Sequence, residues 1–212
     1  MLHDIRVLTH SSIRISTDPG VLYVDPFKVE GEPHDADYIL VTHDHFDHFS
    51  PEDIEKIYKS GTKLIVPANM EKKAHDVSEL VDRIIPVHPG ESYEIDGLSI
   101  ETVPAYNRLK PFHPKSSGWV GYIVAADGER IYIAGDTDVT RENSAVKCDV
   151  ALVPAGGTYT MNASEAAKLV NTIRPKTAIP THYGSVVGSA GDAEAFRAAV
   201  DEGIEVRILM EN

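Results

Sequence analysis

The 212 residues include 33 acidic and 20 basic side chains, a formal net charge of −13 that sets the chain against polyanionic partners such as nucleic acid. With 42% hydrophobic and 25% charged residues the composition is globular rather than disordered, and the length suits one domain, 1–212, around one sizeable core. Cys148, the single cysteine, excludes an internal disulfide, and no apolar run is long enough for a signal peptide or a membrane span, so a cytoplasmic protein is expected.

In chain order, residues 5–9, 12–16 and 21–24 read as an opening β-meander, with Ile13 and Ile15 alternating and Thr17-Asp18-Pro19-Gly20 as a turn. The apolar run 38–41 suits a strand buried on both faces and leads straight into Thr42-His43-Asp44-His45-Phe46-Asp47-His48. Ser50 has the form of an N-cap, with Pro51 at the first helical position; Ile54, Ile57 and Tyr58 share one face of a helix that Gly61 is expected to end. Strand 64–66, a short helix 70–75, strand 84–87 and longer strands 98–103 and 119–125 follow. The run 131–134 ends in Gly135-Asp136-Thr137, and the run 150–153 precedes Gly156-Gly157. Asn162 and Glu165 form a capping box for a helix burying Ala166, Leu169, Val170 and Ile173. Strand 177–179 delivers His182, and a helix near 193–199 and a strand 206–209 complete the chain. Strands clustered early and alternating with helices later predict a layered α/β protein whose strand ends supply the site.

His43, His45, Asp47 and His48 bring three imidazoles and a carboxylate into six residues, a nitrogen and oxygen donor set suited to zinc and similar divalent ions. In an extended backbone His43, His45 and Asp47 project to one side and His48 to the other, a spacing that favours two neighbouring metal positions. The alternative, a solvated polar turn ahead of a helix, does not call for such a density of ligand-type side chains. Asp136 and His182 taken singly stay open: Gly-Asp-Thr is also an ordinary turn, and a lone histidine at a strand end also serves as a hydrogen-bonded structural residue.

Residues 42–48 resemble the HxHxDH signature of the metallo-β-lactamase superfamily. Residues 133–137, Ile-Ala-Gly-Asp-Thr, resemble its Gly-Asp-Thr segment; 180–184, Pro-Thr-His-Tyr-Gly, resemble its last histidine motif; and 24–26, Val-Asp-Pro, its early aspartate segment. The resemblance implies a four-layer αββα sandwich of two mixed sheets flanked by helices, and a metal-dependent hydrolase acting on a small molecule. It implies that His43, His45, Asp47, His48, Asp136 and His182 ligate one or two divalent ions, Zn2+ first and Mn2+ or Ni2+ as alternatives, with Asp136 bridging the two metals. A metal-activated water, oriented by Asp47, would attack an ester, lactone or phosphodiester. Asp25 reads either as a carboxylate behind a ligand histidine or as a turn residue before Pro26. Among superfamily branches, Ala105-Tyr106-Asn107 and residues 156–160 look most like the group of ascorbate phosphate lactonase and phospholipase-D-type enzymes.

The chain departs from the family pattern at Asn107, which stands where a further histidine is expected, and an amide oxygen is a weaker ligand than imidazole. His113, six residues on, is the candidate substitute; it equally fits a substrate contact or an exposed position, and either Asn107 or His113 is a candidate for stabilising an oxyanion. His10 in Leu8-Thr9-His10-Ser11-Ser12 resembles the opening motif of some members, but as a lone histidine it reads as structural. Gly156 and Gly157 fit a tight strand-to-helix turn whose hydroxyls could line a pocket. His3, His34, His75 and His88 are expected at the surface. A di-iron redox protein on the same scaffold is an alternative, although such relatives place a glutamate where His45 stands; a non-catalytic metal-binding protein is the other.

Overall fold

The computed structural model describes residues 4–210; His3 lies outside them. Strands β1 (Asp4–Thr9), β2 (Ser12–Thr17) and β3 (Gly20–Val24) form the expected antiparallel meander. β4 (Ala36–Leu40), β5 (Tyr58–Pro67) and β6 (Arg83–Val87) extend it in parallel, giving a sheet ordered β1-β2-β3-β4-β5-β6. In the second sheet β7 (Ser92–Ile95), β8 (Leu98–Pro104), β9 (Val120–Ala126) and β10 (Glu129–Ile133) are antiparallel neighbours. Beyond β10, β11 (Val150–Pro154), β12 (Thr177–Thr181) and β13 (Glu205–Val206) run parallel. Each sheet passes from antiparallel to parallel across its width, so the two halves share one plan with no repeat in the sequence.

The side-chain period of two sorts the apolar runs into layers. Leu40 and Ile65 join Ile100, Val124 and Leu152 of the other sheet in one buried cluster. Their neighbours Ile39, Val41, Leu64 and Val66 face outward, in a cluster with Ile54 and Ile57 of α1 (Pro51–Ile57) and Ala74 of α2 (Glu71–Ala74). On the far side Ala151, Val153 and Ala178 pack with Leu169, Val170 and Ile173 of α3 (Ala163–Ile173) and Phe196 of α4 (Ala190–Ala199). The result is the four-layer αββα sandwich, in which each fully buried Ile, Leu or Val stabilises by about 1.5–3 kcal/mol. Among the described residues no helix is long and apolar enough to cross a membrane.

Several boundaries differ from the sequence expectation. α1 has the expected Ser50 N-cap, which accepts from Asp53 N, but it ends at Ile57 rather than running to Gly61. Tyr58 is already extended and pairs with Ala36, and the Thr62 hydroxyl, accepting from Lys59 N at 2.9 Å and lying 2.7 Å from the carbonyls of Lys59 and Ala36, holds β5 through its irregularity. β7 was not anticipated; it pairs with β8 across Asp96-Gly97, both left-handed at φ 49° and 93°, as a two-residue hairpin turn requires. β13 stops at Val206, and Ile208 and Leu209 leave the sheet to pack on the inter-sheet core. α4 begins at Ala190, where Ser189 and Asp192 form a capping box; α3 has the expected Asn162–Glu165 box.

Candidate metal centre

Five loops at one edge of the sandwich carry the candidate residues: the turn joining β1 to β2 (His10), and the segments following β4 (His43 to His48), β8 (Asn107, His113), β10 (Asp136) and β12 (His182). They gather into two groups whose ligand atoms lie within 4.8 Å of one another, His10, Asp47, His48 and His182 in one and His43, His45, His113 and Asp136 in the other. Asp136 stands between them. Its Oδ2 is 3.2 Å from both His113 Nε2 and His182 Nε2 and 3.8 Å from His43 Nε2, while its Oδ1 is 3.4 Å from His48 Nε2. All six residues expected as ligands are therefore in one place, together with two more histidines.

His10 is the residue the sequence undervalues. It is fully buried, its Nε2 is 3.1 Å from Asp47 Oδ2, its ring lies 3.8 Å from that of His182, and its carbonyl accepts from His182 N at 2.8 Å. His10, His113 and His182 have φ of 53°, 59° and 56°, and Asp25 47°. Such conformations cost on the order of 1 kcal/mol each for residues other than glycine and concentrate where surrounding structure imposes them.

Asp25 is buried directly behind the first loop. Its Oδ1 accepts from Thr42 N and its Oδ2 from the Thr42 hydroxyl, both at 2.7 Å, and His48 Nδ1 lies 2.7 Å from Oδ2. With its one proton given to Asp25, the Thr42 hydroxyl can only accept from His43 Nδ1, 3.0 Å away. Both histidines thus carry the proton on Nδ1 and leave Nε2 for a ligand, the tautomer a cation needs. We expect Asp25→Ala to weaken metal binding by about 10–100-fold with all the candidate ligands retained, measured by competition with a chromogenic chelator; unchanged affinity would refute the relay.

His113 is buried because the segment 107–113 folds back over the centre. Asn107 N donates to His113 O at 2.8 Å, and Arg108 N and Lys110 Nζ both reach Asp138, at 2.9 and 2.5 Å. The Asn107 amide nitrogen lies 3.2 Å from His113 Nδ1 and 2.7 Å from Tyr159 O, while its Oδ1 is buried without a hydrogen-bond partner. The Thr160 hydroxyl turns onto the carbonyls of its own loop, Gly157 and Met161, and does not line an opening. His34, His75 and His88 are exposed, as expected.

The donor set fits a divalent cation. His48 Nε2, His113 Nε2, His182 Nε2 and Asp136 Oδ1 are buried without a hydrogen-bond partner, an arrangement that folded proteins avoid unless something else satisfies the atoms. Burial drives the His43 imidazole well below its ordinary range, with His48 adding to the effect, and burial likewise lowers His10 and His45, leaving them neutral for ligation. Burial alone would raise Asp136, but His182, His48 and His113 hold it well below the usual carboxylate range. Burial also opposes charge on His48, yet Asp136, Asp25 and Asp47 overcome it and push His48 up to about 9.

That last shift has a pH consequence. His48 is raised above its unfolded value, so its contribution to metal-free stability is complete below about pH 6.5 and is lost as pH rises towards about 9. A cation at His48 Nε2 must displace a proton over the same window. The metal-induced rise in Tm is therefore expected to grow from pH 6.5 to 9, with proton release on binding; a rise independent of pH in that range would contradict the assignment.

Residues 4–182 match the family model described as the β-lactamase superfamily domain. A UPF0173 metal-dependent hydrolase from Thermococcus kodakarensis is 34% identical over 97% of this chain and 95% of its own length. A crystal structure from Parabacteroides distasonis, described as a metal-dependent hydrolase, has a TM-score of 0.80 at 33% identity, covering 97% of this chain and 91% of the other. A diiron β-hydroxylase from Streptomyces venezuelae shares the fold alone, with a TM-score of 0.74 at 13% identity over 97% of this chain and 52% of that one. The chain belongs to the metallo-β-lactamase superfamily, in its UPF0173 family of metal-dependent hydrolases.

Proposed function

We propose that residues 1–212 form one cytoplasmic hydrolase domain that cleaves an ester, lactone or phosphodiester of small size with two divalent ions, Zn2+ by preference and Mn2+ or Ni2+ as alternatives. The observation that carries this reading is the pair of His and Asp groups meeting at Asp136, with six of their nitrogen and oxygen atoms buried and unpartnered. His43, His45 and His113 would hold one ion, His48, His182, Asp47 and His10 the other, and Asp136 would face both. When bound, the ions would supply an acidified water and a polarised substrate oxygen.

The chain's own residues do the rest. Burial opposes ionisation of Asp47, but the His10 hydrogen bond and the nearby His48 lower it below its ordinary value, so it stands as a carboxylate able to orient the attacking water and accept its proton. Asn107 positions the His113 ring; steadying negative charge developing on the substrate is the alternative role for His113 beside Asp136, in place of ligation and not together with it. The test is chelation followed by titration with zinc, manganese, nickel or iron. Trp119, the only tryptophan, lies 5.0, 5.1 and 5.4 Å from the rings of His43, His45 and His113, so its fluorescence reports filling of that group. Two ions per chain, a Trp119 response and turnover of p-nitrophenyl esters, lactones or bis-p-nitrophenyl phosphate support the reading. Full turnover by metal-free protein, or oxygen consumption by an iron form that hydrolyses nothing, overturns it.

A further inference from the structure

Four large hydrophobic side chains are exposed among the described residues: Phe46 at 67%, Leu109 at 97%, Phe112 at 47% and Val186 at 38%. Isolated exposed apolar residues are ordinary and call for no explanation. Each of these four, however, stands within four residues of a histidine of the metal groups. Phe46 follows His45 directly; Leu109 and Phe112 precede His113 by four residues and one; Val186 follows His182 by four. Three segments far apart in the chain each bring a histidine to the metal groups and, beside it, an apolar side chain to solvent.

Two partly exposed aromatic pairs tie this collar to the centre. Phe46 packs edge-on against Phe27 at 5.9 Å, and Phe27 lies 6.3 Å from the His10 ring. Phe112 packs edge-on against Tyr159 at 4.9 Å, and the Tyr159 carbonyl holds Asn107 behind His113. Of the nearby cations, Lys110 is bound to Asp138 and the Thr160 carbonyl and Lys73 to the Asp44 carbonyl, Lys28 lies beside the Ser185 hydroxyl and over the Phe27 ring, and Arg108, next to Leu109, is exposed. The rim therefore presents carbon around the centre, on a chain whose net charge of −13 is otherwise unfriendly to anions.

We propose that the substrate is a carboxylic ester or lactone bearing an apolar acyl or alkyl chain, and that Phe46, Leu109, Phe112 and Val186 form the collar that receives that chain. This rests on the hydrolase reading above and narrows its three substrate classes. In the reaction a water oxygen bonds to the carbonyl carbon, the bond from that carbon to the alcohol oxygen breaks, and that oxygen takes up a proton, leaving the chain on the acid product.

The experiment uses the zinc-loaded full chain with p-nitrophenyl esters and γ-lactones whose acyl or ring substituents lengthen from two to ten carbons. In parallel, calorimetry measures binding of the matching linear carboxylates, the reaction products. We expect kcat/KM to rise about two- to fourfold per methylene over the first several carbons, and product Kd to fall in step. Phe46→Ser with Phe112→Ser should flatten both slopes, with unchanged metal content showing that the double variant is folded. Hydrolysis with no dependence on chain length, or cleavage of phosphodiesters alone, would overturn the collar and leave the hydrolase standing. Chain-dependent binding without hydrolysis of any substrate would support the collar while overturning the reaction. Wild-type protein that is a dimer by light scattering, with Phe46→Ser/Phe112→Ser monomeric and its slopes unaltered, would assign the patch to a second copy and overturn the proposal.

Discussion

Replacing Asp136 with alanine is expected to reduce hydrolysis on the order of a thousandfold or more and to lower the number of ions bound per chain. Asp136 is the one carboxylate within ion-pair distance of histidines from both groups, 3.2 Å from His113 and His182, 3.4 Å from His48 and 3.8 Å from His43. Without it the four imidazoles have no shared anion to offset two nearby cations. The stability effect has a definite sign. The folded carboxyl is depressed below its unfolded value, so its contribution is fully present above the ordinary carboxylate range and is lost as pH falls from there through the depressed folded value. The deficit of Asp136→Ala relative to wild type should accordingly shrink in acid. Asp136→Asn keeps the volume and removes the charge; metal loss in both variants would assign the effect to charge, and metal loss in Asp136→Ala alone to shape. Wild-type metal content and activity within tenfold in Asp136→Ala would remove the basis for a shared site.

The motif loops were legible because each follows a short apolar strand whose end is easy to locate: 38–41 ahead of His43, 131–134 ahead of Asp136 and 177–179 ahead of His182. The layering was legible for the same reason, since strands buried on both faces need a sheet on one side and helices on the other. His10 was not. A single histidine in a tight turn has no neighbour of its kind, and its partners Asp47 and His182 are supplied by loops folded from elsewhere in the chain. Asp96-Gly97 carried a hairpin signal in two letters, but the strand before it, Ser92–Ile95, is too short and polar for alternation to stand out. The length of β5 depends on the Thr62 hydroxyl meeting the Ala36 carbonyl of another strand, a tertiary contact that local propensity does not encode.

Gly156 is the second position where a small change should have a large effect, and it too was opaque in the sequence, where a tight turn accounts for any glycine pair. Its backbone lies outside the left-handed region, unlike Gly157 at φ 71°. What requires glycine is proximity: a Cβ at 156 would stand 2.1 Å from the His182 carbonyl oxygen and 3.2 Å from the Tyr183 Cα, both backbone and neither free to rotate away. Ala155 N is bonded to Thr181 O at 2.9 Å immediately before this point, so β11 and β12 cannot part without breaking the ladder. An added methyl must push on His182, which is itself held left-handed by its bond to His10 and whose Nε2 sits 3.2 Å from Asp136. A displacement of roughly 1 Å at a positioned catalytic group costs about a hundredfold, and overpacking of this kind about 1–3 kcal/mol of stability, or about 5 °C in Tm for a chain of this size. We therefore expect Gly156→Ala to lose activity and affinity for the His48 and His182 position together. Gly157→Ala should cost about 1 kcal/mol of backbone strain and leave metal affinity intact, because its Cβ would meet Asn162 at ordinary distances, 3.5 Å to its Cβ and 3.8 Å to its Cα. Equal metal affinity in Gly156→Ala and wild type would show that β12 can shift without moving its histidine, and that the close approach does not set the geometry of the centre.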